Sequence, residues 1–362
     1  MTGHRIALVL ATSTGGTGRH VRALAADLVV AGDRVVVLGP AETEETFDFT
    51  GTGARFVPLA IAHAPRPGDV RTIARLRRYL HGAGLVHAHG LRAAAIAALA
   101  NAGSRRPLVV TWHNLPMPGT GGGRLAPALE SLVARSADLT LTVSPDLAER
   151  VRERGGRDVR VAPVAAAPLP EPARTVAQVR AELGATDRPL IVSVGRLHQQ
   201  KGHATLIAAA QLLADRRSVP LVAIAGSGPL WSQLQAQIGS APVQLLGFRR
   251  DVSALLAAAD AIVLPSIWEG SPLAAQEAVR AGTPLIATAV GGVPTLIGDG
   301  ADLIEPGDEK ALAAAIGRVL DDPDYAAQLA DRARAAAGRL PTEAAVSESV
   351  ARCYDELLGR VG

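Results

Sequence analysis

At 362 residues the chain is longer than one typical hydrophobic core supports, and its 48% hydrophobic content with 3% aromatic residues calls for cores built from Ala, Val and Leu in two domains. The 37 basic and 34 acidic side chains nearly balance, and no basic block is interleaved with aromatics, which argues against nucleic acid as a partner. Cys353 alone excludes an internal disulfide and a cysteine metal cluster, and no apolar run reaches the length of a signal core or a bilayer span, so the expectation is a cytosolic protein.

Residues 6–11 form an unbroken apolar run, the pattern of a strand buried on both faces of a parallel sheet. Thr12-Ser-Thr-Gly-Gly-Thr-Gly-Arg-His20 follows, then an amphipathic helix over roughly 20–31 and a second strand at 34–38. A glycine-rich turn at a helix N-terminus, centred on Gly15 and Gly16, suits a phosphate or another ligand. As a dinucleotide fingerprint it lacks the third glycine and a closing acid, and no Walker A motif occurs. Residues 55–59 read as a further strand.

The spacing at 69–80 predicts a helix with Val70, Ile73, Leu76 and Leu80 near one face and Arg71, Arg75 and Arg78 on another. Two readings stay open for those arginines, a solvated face or a surface that docks on anionic lipid. The strand at 85–89 ends in His-Ala-His-Gly, which puts His87 and His89 on one face. With no carboxylate or cysteine set nearby, packing or hydrogen bonding is preferred to a metal pair. His113-Asn114 falls at the carboxyl end of a strand at 108–112, the edge where open α/β sheets bind ligands, although a structural histidine fits there too. Residues 117–123 read as a glycine-rich loop able to cover an acceptor. A helix at 125–136, a strand at 139–143 and a helix opened by Ser144-Pro145-Asp146 continue the alternation.

The proline-rich stretch 163–172 cannot be a helix or a central strand and reads as a linker. It divides a first domain, 1–168, from a second, 169–340, with 341–362 as a closing helix that packs back on the first domain. In the second domain strands are expected at 190–194, 221–225, 243–246, 261–264 and 285–288. Tight turns follow several of them, at Gly226-Ser-Gly-Pro229, Gly247-Phe248 and Gly291-Gly-Val-Pro294.

Two stretches in this half carry chemistry. Residues 191–203 are a strand ending in glycine and a basic loop with Arg196 and Lys201; Lys201 and Lys310 are the only lysines, so a lysine here departs from the habit of the chain. A compact ammonium suits a phosphate oxygen as a point charge. Residues 263–282 read as a strand, an acidic loop and a helix, with Ser271 as N-cap, Pro272 at the first helical position and Gly282 as the stop. That helix start offers backbone N–H groups at 271–274, with Glu269 just before it and Glu277 inside it. A Glu near a helix start is favoured by the dipole alone, so neither acid is diagnostic by itself. Together, cations on one loop and hydroxyl-binding carboxylates on the other fit the polarity of a nucleoside diphosphate sugar.

The pairing of Val194-Gly-Arg-Leu and Lys201-Gly202 with Glu269-Gly-Ser-Pro-Leu and Glu277 resembles the group 1, glycogen-synthase-like, retaining glycosyltransferases. The Gly15-Gly16 and Gly226-Ser-Gly-Pro turns extend the likeness over nearly the whole chain. The resemblance implies the GT-B fold, an α/β architecture of two Rossmann-like domains facing across a cleft. It implies that Arg196 and Lys201 bind the donor diphosphate, Glu269 the sugar hydroxyls and Glu277 the ribose. Backbone at Gly15, Gly16, Gly226, Gly270, Ser271, Pro272 and Leu273 would line sugar and phosphates, Gly247 and Phe248 would meet the base, and His113 would bond the transferred sugar. Thr295 stands where the family carries an acid after the Gly-Gly-Val-Pro turn. No metal is called for, because fixed cations and a helix N-terminus can neutralise the leaving diphosphate; Asp322-Pro-Asp324 reads as a helix boundary. The acceptor expected is a lipid or cell-envelope glycan. Alternatives are a GT-B sugar-nucleotide epimerase or hydrolase, a phosphorylase that would need Lys310 as its cofactor lysine, and a donor-binding subunit without activity.

Overall fold

The computed structural model describes residues 3–13, 15–62, 64, 66–115 and 126–360. The glycine-rich loop expected at 117–123 lies outside them. The chain divides into two compact units, one of residues up to Ala165 together with those from Pro341 onward, the other Ala166–Leu340. The division falls inside the proline-rich stretch, before residue 168.

The first unit alternates β1 (Arg5–Leu10), α1 (Gly16–Val30), β2 (Arg34–Gly39), α2 (Ala41–Phe47), β3 (Arg55–Pro58), α3 (Asp69–Tyr79) and β4 (Leu85–His89). It continues with α4 (Leu91–Asn101), β5 (Leu108–Trp112), α5 (Ala126–Ser136), β6 (Leu139–Thr142), α6 (Pro145–Glu153) and β7 (Val159–Val161). All strand pairs are parallel, in the order β3-β2-β1-β4-β5-β6-β7. The central strands are buried on both faces, which is why β1 reads as a continuous apolar run after its first residue and β4 and β5 carry no charged residue. α1 starts at Gly16, four residues before the start expected at His20, because the glycines themselves form its first turn. Gly18 has a packing role there: a Cβ at that position would lie 2.2 Å from the Phe47 ring. On α3 only Leu76 is buried and Val70 is 73% exposed, so Val70 does not belong to the packed face expected of it.

The second unit holds α7 (Val176–Leu183), β8 (Leu190–Val194), α8 (His203–Leu212), β9 (Leu221–Ala225), α9 (Trp231–Ile238), β10 (Val243–Gly247), α10 (Val252–Ala258) and β11 (Ala261–Leu264). α11 (Leu273–Ala281), β12 (Leu285–Thr288), α12 (Val293–Ile297), β13 (Asp302–Ile304), α13 (Glu309–Asp321) and α14 (Pro323–Ala337) complete it. Its parallel sheet runs β10-β9-β8-β11-β12-β13. Asp322 is the N-cap of α14, its side chain accepting from Tyr325 N, with Pro323 at N1.

The last helix, α15 (Glu343–Gly359), belongs to the first unit although it follows the second in sequence. Val350, Cys353, Tyr354 and Leu357 bury its inner stripe in the same core as Val21, Leu24 and Leu28 of α1. Thr342 caps it by accepting from Ala345 N. Among the described residues no helix is long and apolar enough to cross a membrane.

Candidate active site

Strand order reverses in the second unit between β8 and β11, and loops leaving the carboxyl ends of such neighbours diverge and open a crevice. Those loops are 195–202 and 265–272, the two stretches with the unusual charge pattern. Lys201 Nζ lies 2.5 Å from Glu269 Oε1, and Ser266 Oγ donates to the same oxygen at 2.6 Å. Glu269 is buried, so its carboxylate is oriented by these donors and not by bulk water.

Backbone contacts hold the two loops at that distance. Ile267 N donates to Gln200 O at 2.8 Å, and Gln200 Nε2 donates to Trp268 O at 2.9 Å. Gly202 sits at φ +64°, where a Cβ would come 1.9 Å from Pro265 O. On the other side Gly292 N donates to Glu269 O at 2.9 Å, and Gly291 admits no Cβ because that carbonyl would be 1.9 Å away. Gly226 has a comparable role on the neighbouring strand end: its N–H donates to Gly247 O at 2.8 Å, and its missing Cβ leaves room for Gly195 O. Gly226 and Gly247 therefore fit the carboxyl ends of β8, β9 and β10 together, with Phe248, 72% exposed, at the outer end of that layer.

α11 starts one residue later than the sequence suggests. Pro272 is its N-cap, in an extended conformation with its carbonyl accepting from Gln276 N, and Ser271 instead has its hydroxyl 3.4 Å from Gln276 Nε2. The amides without a partner inside the helix are consequently those of Leu273, Ala274 and Ala275, and Pro272 contributes shape but no donor. Gly270 is buried against this turn. Glu277, half-buried, shares a helix face with Leu273 one turn earlier. Its neighbour Gln276 turns the other way and accepts from Ala166 N at 2.9 Å.

Arg196 does not join the Lys201–Glu269 pair; it is exposed, close enough to His198 that burial, then its own charge and that of Lys201, lower the imidazole pKa. Lys310 is exposed in the first turn of α13, beyond the edge strand β13. Ser266, Gln200 and His203 escaped the sequence reading. Ser266 and Gln200 matter only through the meeting of two loops far apart in the chain, and no local pattern announces that. His203, at the first position of α8, is 3% exposed, and burial followed by the Lys201 charge lowers it to about 4.

In the first unit the reversal lies between β1 and β4. Gly15 is the N-cap of α1 and Gly16 its first residue, and a Cβ at Gly15 would meet nothing within 4 Å. Among the described residues nothing fills the space beside Gly15, as a ligand contact requires. His113 follows β5 and is buried, its Nε2 3.2 Å from His89 Nδ1. His87 is bonded to Tyr354 OH at 2.6 Å and Thr111 Oγ1 at 2.7 Å. Among the described residues no three His, Cys, Asp or Glu side chains are arranged to hold a metal.

Two doubly wound parallel sheets on one chain, each with a reversal in strand order, define the GT-B class. The fold matches the crystal structure of HepE from Anabaena in complex with UDP and glucose, with a TM-score of 0.82 over 98% of this chain and 100% of that one at 23% identity. Residues 176–336 match the model for glycosyl transferases group 1 and residues 15–167 that for the glycosyl transferase 4-like domain. Glycogen synthase of Mycobacterium tuberculosis is 30% identical over 367 residues, covering 91% of this chain and 87% of that protein. The UDP-Gal:alpha-D-GlcNAc-diphosphoundecaprenol alpha-1,3-galactosyltransferase of Escherichia coli is 36% identical over 138 residues, 36% of each chain. The chain belongs to the group 1 glycosyltransferases.

Proposed function

We propose that the protein is a retaining, metal-independent hexosyltransferase that moves a sugar from a UDP- or GDP-linked donor to a lipid or cell-envelope glycan. The observation that carries this reading is the Lys201–Ser266–Glu269 cluster at the reversal of the second sheet. An ammonium has three donors, so Lys201 can hold Glu269 and a phosphate oxygen at once. The carboxylate keeps acceptor capacity for sugar hydroxyls. Arg196 adds the second cation, and the amides at the start of α11 add a third source of positive potential. These fixed groups neutralise the charge that grows on the diphosphate as the bond from the anomeric carbon to phosphate oxygen breaks, which is the work a metal ion does in other sites.

In this reading the acceptor oxygen bonds to the anomeric carbon on the face the phosphate leaves, and its proton passes to the departing phosphate oxygen, so configuration is retained. His113 bonds the transferred sugar, Gly15 and Gly16 present backbone to it, and Gly270 to Leu273 line the donor. Glu277 takes the ribose hydroxyls, while Gly247 and Phe248 meet the base. UDP is the first donor base to try, since HepE is described with UDP and glucose and the E. coli relative is named for UDP-Gal.

The test is nucleotide release on incubation with a panel of UDP- and GDP-sugars, followed without added metal and then with chelator. Release from one donor that survives the chelator supports the reading, and release only after metal is restored overturns the metal-independent portion of it. In the same assay Glu277→Ala is expected to raise the donor KM by about tenfold or more, the loss of a charged hydrogen bond. An unchanged affinity for free UDP or GDP removes Glu277 from the ribose.

The acceptor reading brings a membrane surface with it. Arg71, Arg75 and Arg78 are exposed on α3 around a hollow of about 580 Å³ that Ala74 and Tyr79 complete, and exposed Val70 adds an apolar tip. This helix is proposed to touch the cytoplasmic face peripherally. Pelleting with anionic vesicles that fades as salt rises is the expected result; equal recovery with neutral vesicles would remove the charge-driven contact.

A further inference from the structure

Four histidines meet at the reversal of the first sheet. His20 comes from α1, His87 and His89 from β4, and His113 from the turn after β5. His89 is the hub. Its ring centroid lies 4.1 Å from that of His87, 5.5 Å from that of His113 and 5.6 Å from that of His20. The far side of the stack is anchored, because both nitrogens of His87 are bonded, one to Tyr354 OH of α15 and one to Thr111 Oγ1. His89 is 2% exposed, its Nδ1 lies 3.2 Å from His113 Nε2, and its Nε2 is buried with no hydrogen-bond partner among the described residues.

Burial, followed by the neighbouring imidazoles, holds His89 and His113 well below the usual histidine range, and no carboxylate pairs with any of the four rings among the described residues. Each neutral ring then carries one N–H. A proton on His89 Nε2 would bury a donor with no acceptor, whereas a proton on Nδ1 leaves only an unshared lone pair. Orphaned buried N–H groups are the rarer of the two in folded proteins, and the second arrangement makes a hydrogen bond to His113. Nε2 of His113 is then the acceptor, and its own proton must sit on Nδ1.

We propose that His89 is a positioning residue that donates from Nδ1 to His113 Nε2 and so fixes His113 as a single tautomer, with one N–H at Nδ1 to offer to the transferred sugar. This rests on the reading of His113 as a sugar contact. A histidine free to adopt the other tautomer would present a lone pair at Nδ1, and a sugar hydroxyl oxygen would lose its donor. The stack fixes the ring plane as well, since His20 stands edge-on to both His89 and His113.

Nitrogen-15 spectra of the wild-type protein labelled at histidine test the pair without any variant. The expected pattern is a pyridine-like Nε2 and a pyrrole-like Nδ1 at His113; the reverse pattern overturns the proposal. Kinetics supply the second test. An Asn amide reaches where Nδ1 stood and a Gln amide where Nε2 stood, so His89→Asn keeps the donor while His89→Gln and His89→Phe lose it. His89→Phe and His89→Gln are expected to lower kcat on the order of 10- to 100-fold, with donor KM changed by no more than about twofold and most of the loss restored in His89→Asn. Equal losses in Asn and Gln variants of native-like melting temperature, or a loss carried by KM alone, overturn it. Unchanged turnover in His113→Ala would instead overturn the sugar-contact reading, leaving the tautomer assignment to the spectra.

Discussion

Lys201→Ala is expected to lower donor turnover on the order of 10²-fold or more, the scale of removing one preorganised group that stabilises developing charge. The structure adds a cost that the charge pattern alone does not show. Lys201 is the cation on a buried carboxylate, so its removal leaves Glu269 buried beside the Ser266 hydroxyl with that charge partner gone. Breaking one side of such a pair destabilises, and replacing both sides need not. Lys201→Met combined with Glu269→Gln should therefore recover melting temperature relative to either single change while turnover stays low. Turnover near the wild-type level in Lys201→Ala would take the lysine out of the reaction. Parallel recovery of stability and turnover in the double variant would make the pair a structural feature only.

Gly202→Ala is expected to damage stability and turnover together. The residue sits at φ +64°, and its added Cβ would approach Pro265 O to 1.9 Å. Strain at a positive φ and a backbone clash that no side-chain rotation relieves together cost about 2 kcal/mol or more. The clash is also aimed at function, because relief must separate the loop of Lys201 from the loop of Glu269. Gly307→Ala is the control: φ is +80° with nothing within 4 Å of the added Cβ, so only backbone strain applies. A fall in melting temperature clearly larger for Gly202→Ala, with turnover lost only there, is the expected result. Identical melting curves for the two variants would mean the close approach at Pro265 is not rigid.

Strands were the most legible elements. Residues 85–89, 108–112, 190–194, 221–225, 261–264 and 285–288 are strands in the structure with those same limits, since burial on both faces keeps them free of charged residues and mostly apolar, with His87, His89, Thr111, Ser193 and Thr288 as the buried polar exceptions. Of the edge strands, β3 and β10 were legible, but the three-residue β7 and β13 were not: they carry Arg160 and Asp302 in runs too short to show a pattern. α4 also gave no signal, because it is buried almost all round and an alanine-rich helix without a wet face has no period to detect. The cap of α11 was misplaced by one residue, since Ser-Pro satisfies cap preferences at either position and the decision rests on which carbonyl meets Gln276 N.

By itself the sequence determined the kind of most major elements, the break near the prolines, and the chemistry available on each loop, including Lys201, one of two lysines in an arginine-rich chain. Hydrophobic period is a local quantity and reports which faces are dry. It says nothing about which dry strand lies beside which, because β8 and β11 would satisfy the same pattern in any order. Only the tertiary structure decided that they are neighbours, that an ammonium and a carboxylate 68 residues apart therefore meet, and that α15 returns to hold His87 through Tyr354. Those choices are made by how connecting helices pack across a sheet, a non-local sum of contacts to which no single stretch of the chain has access.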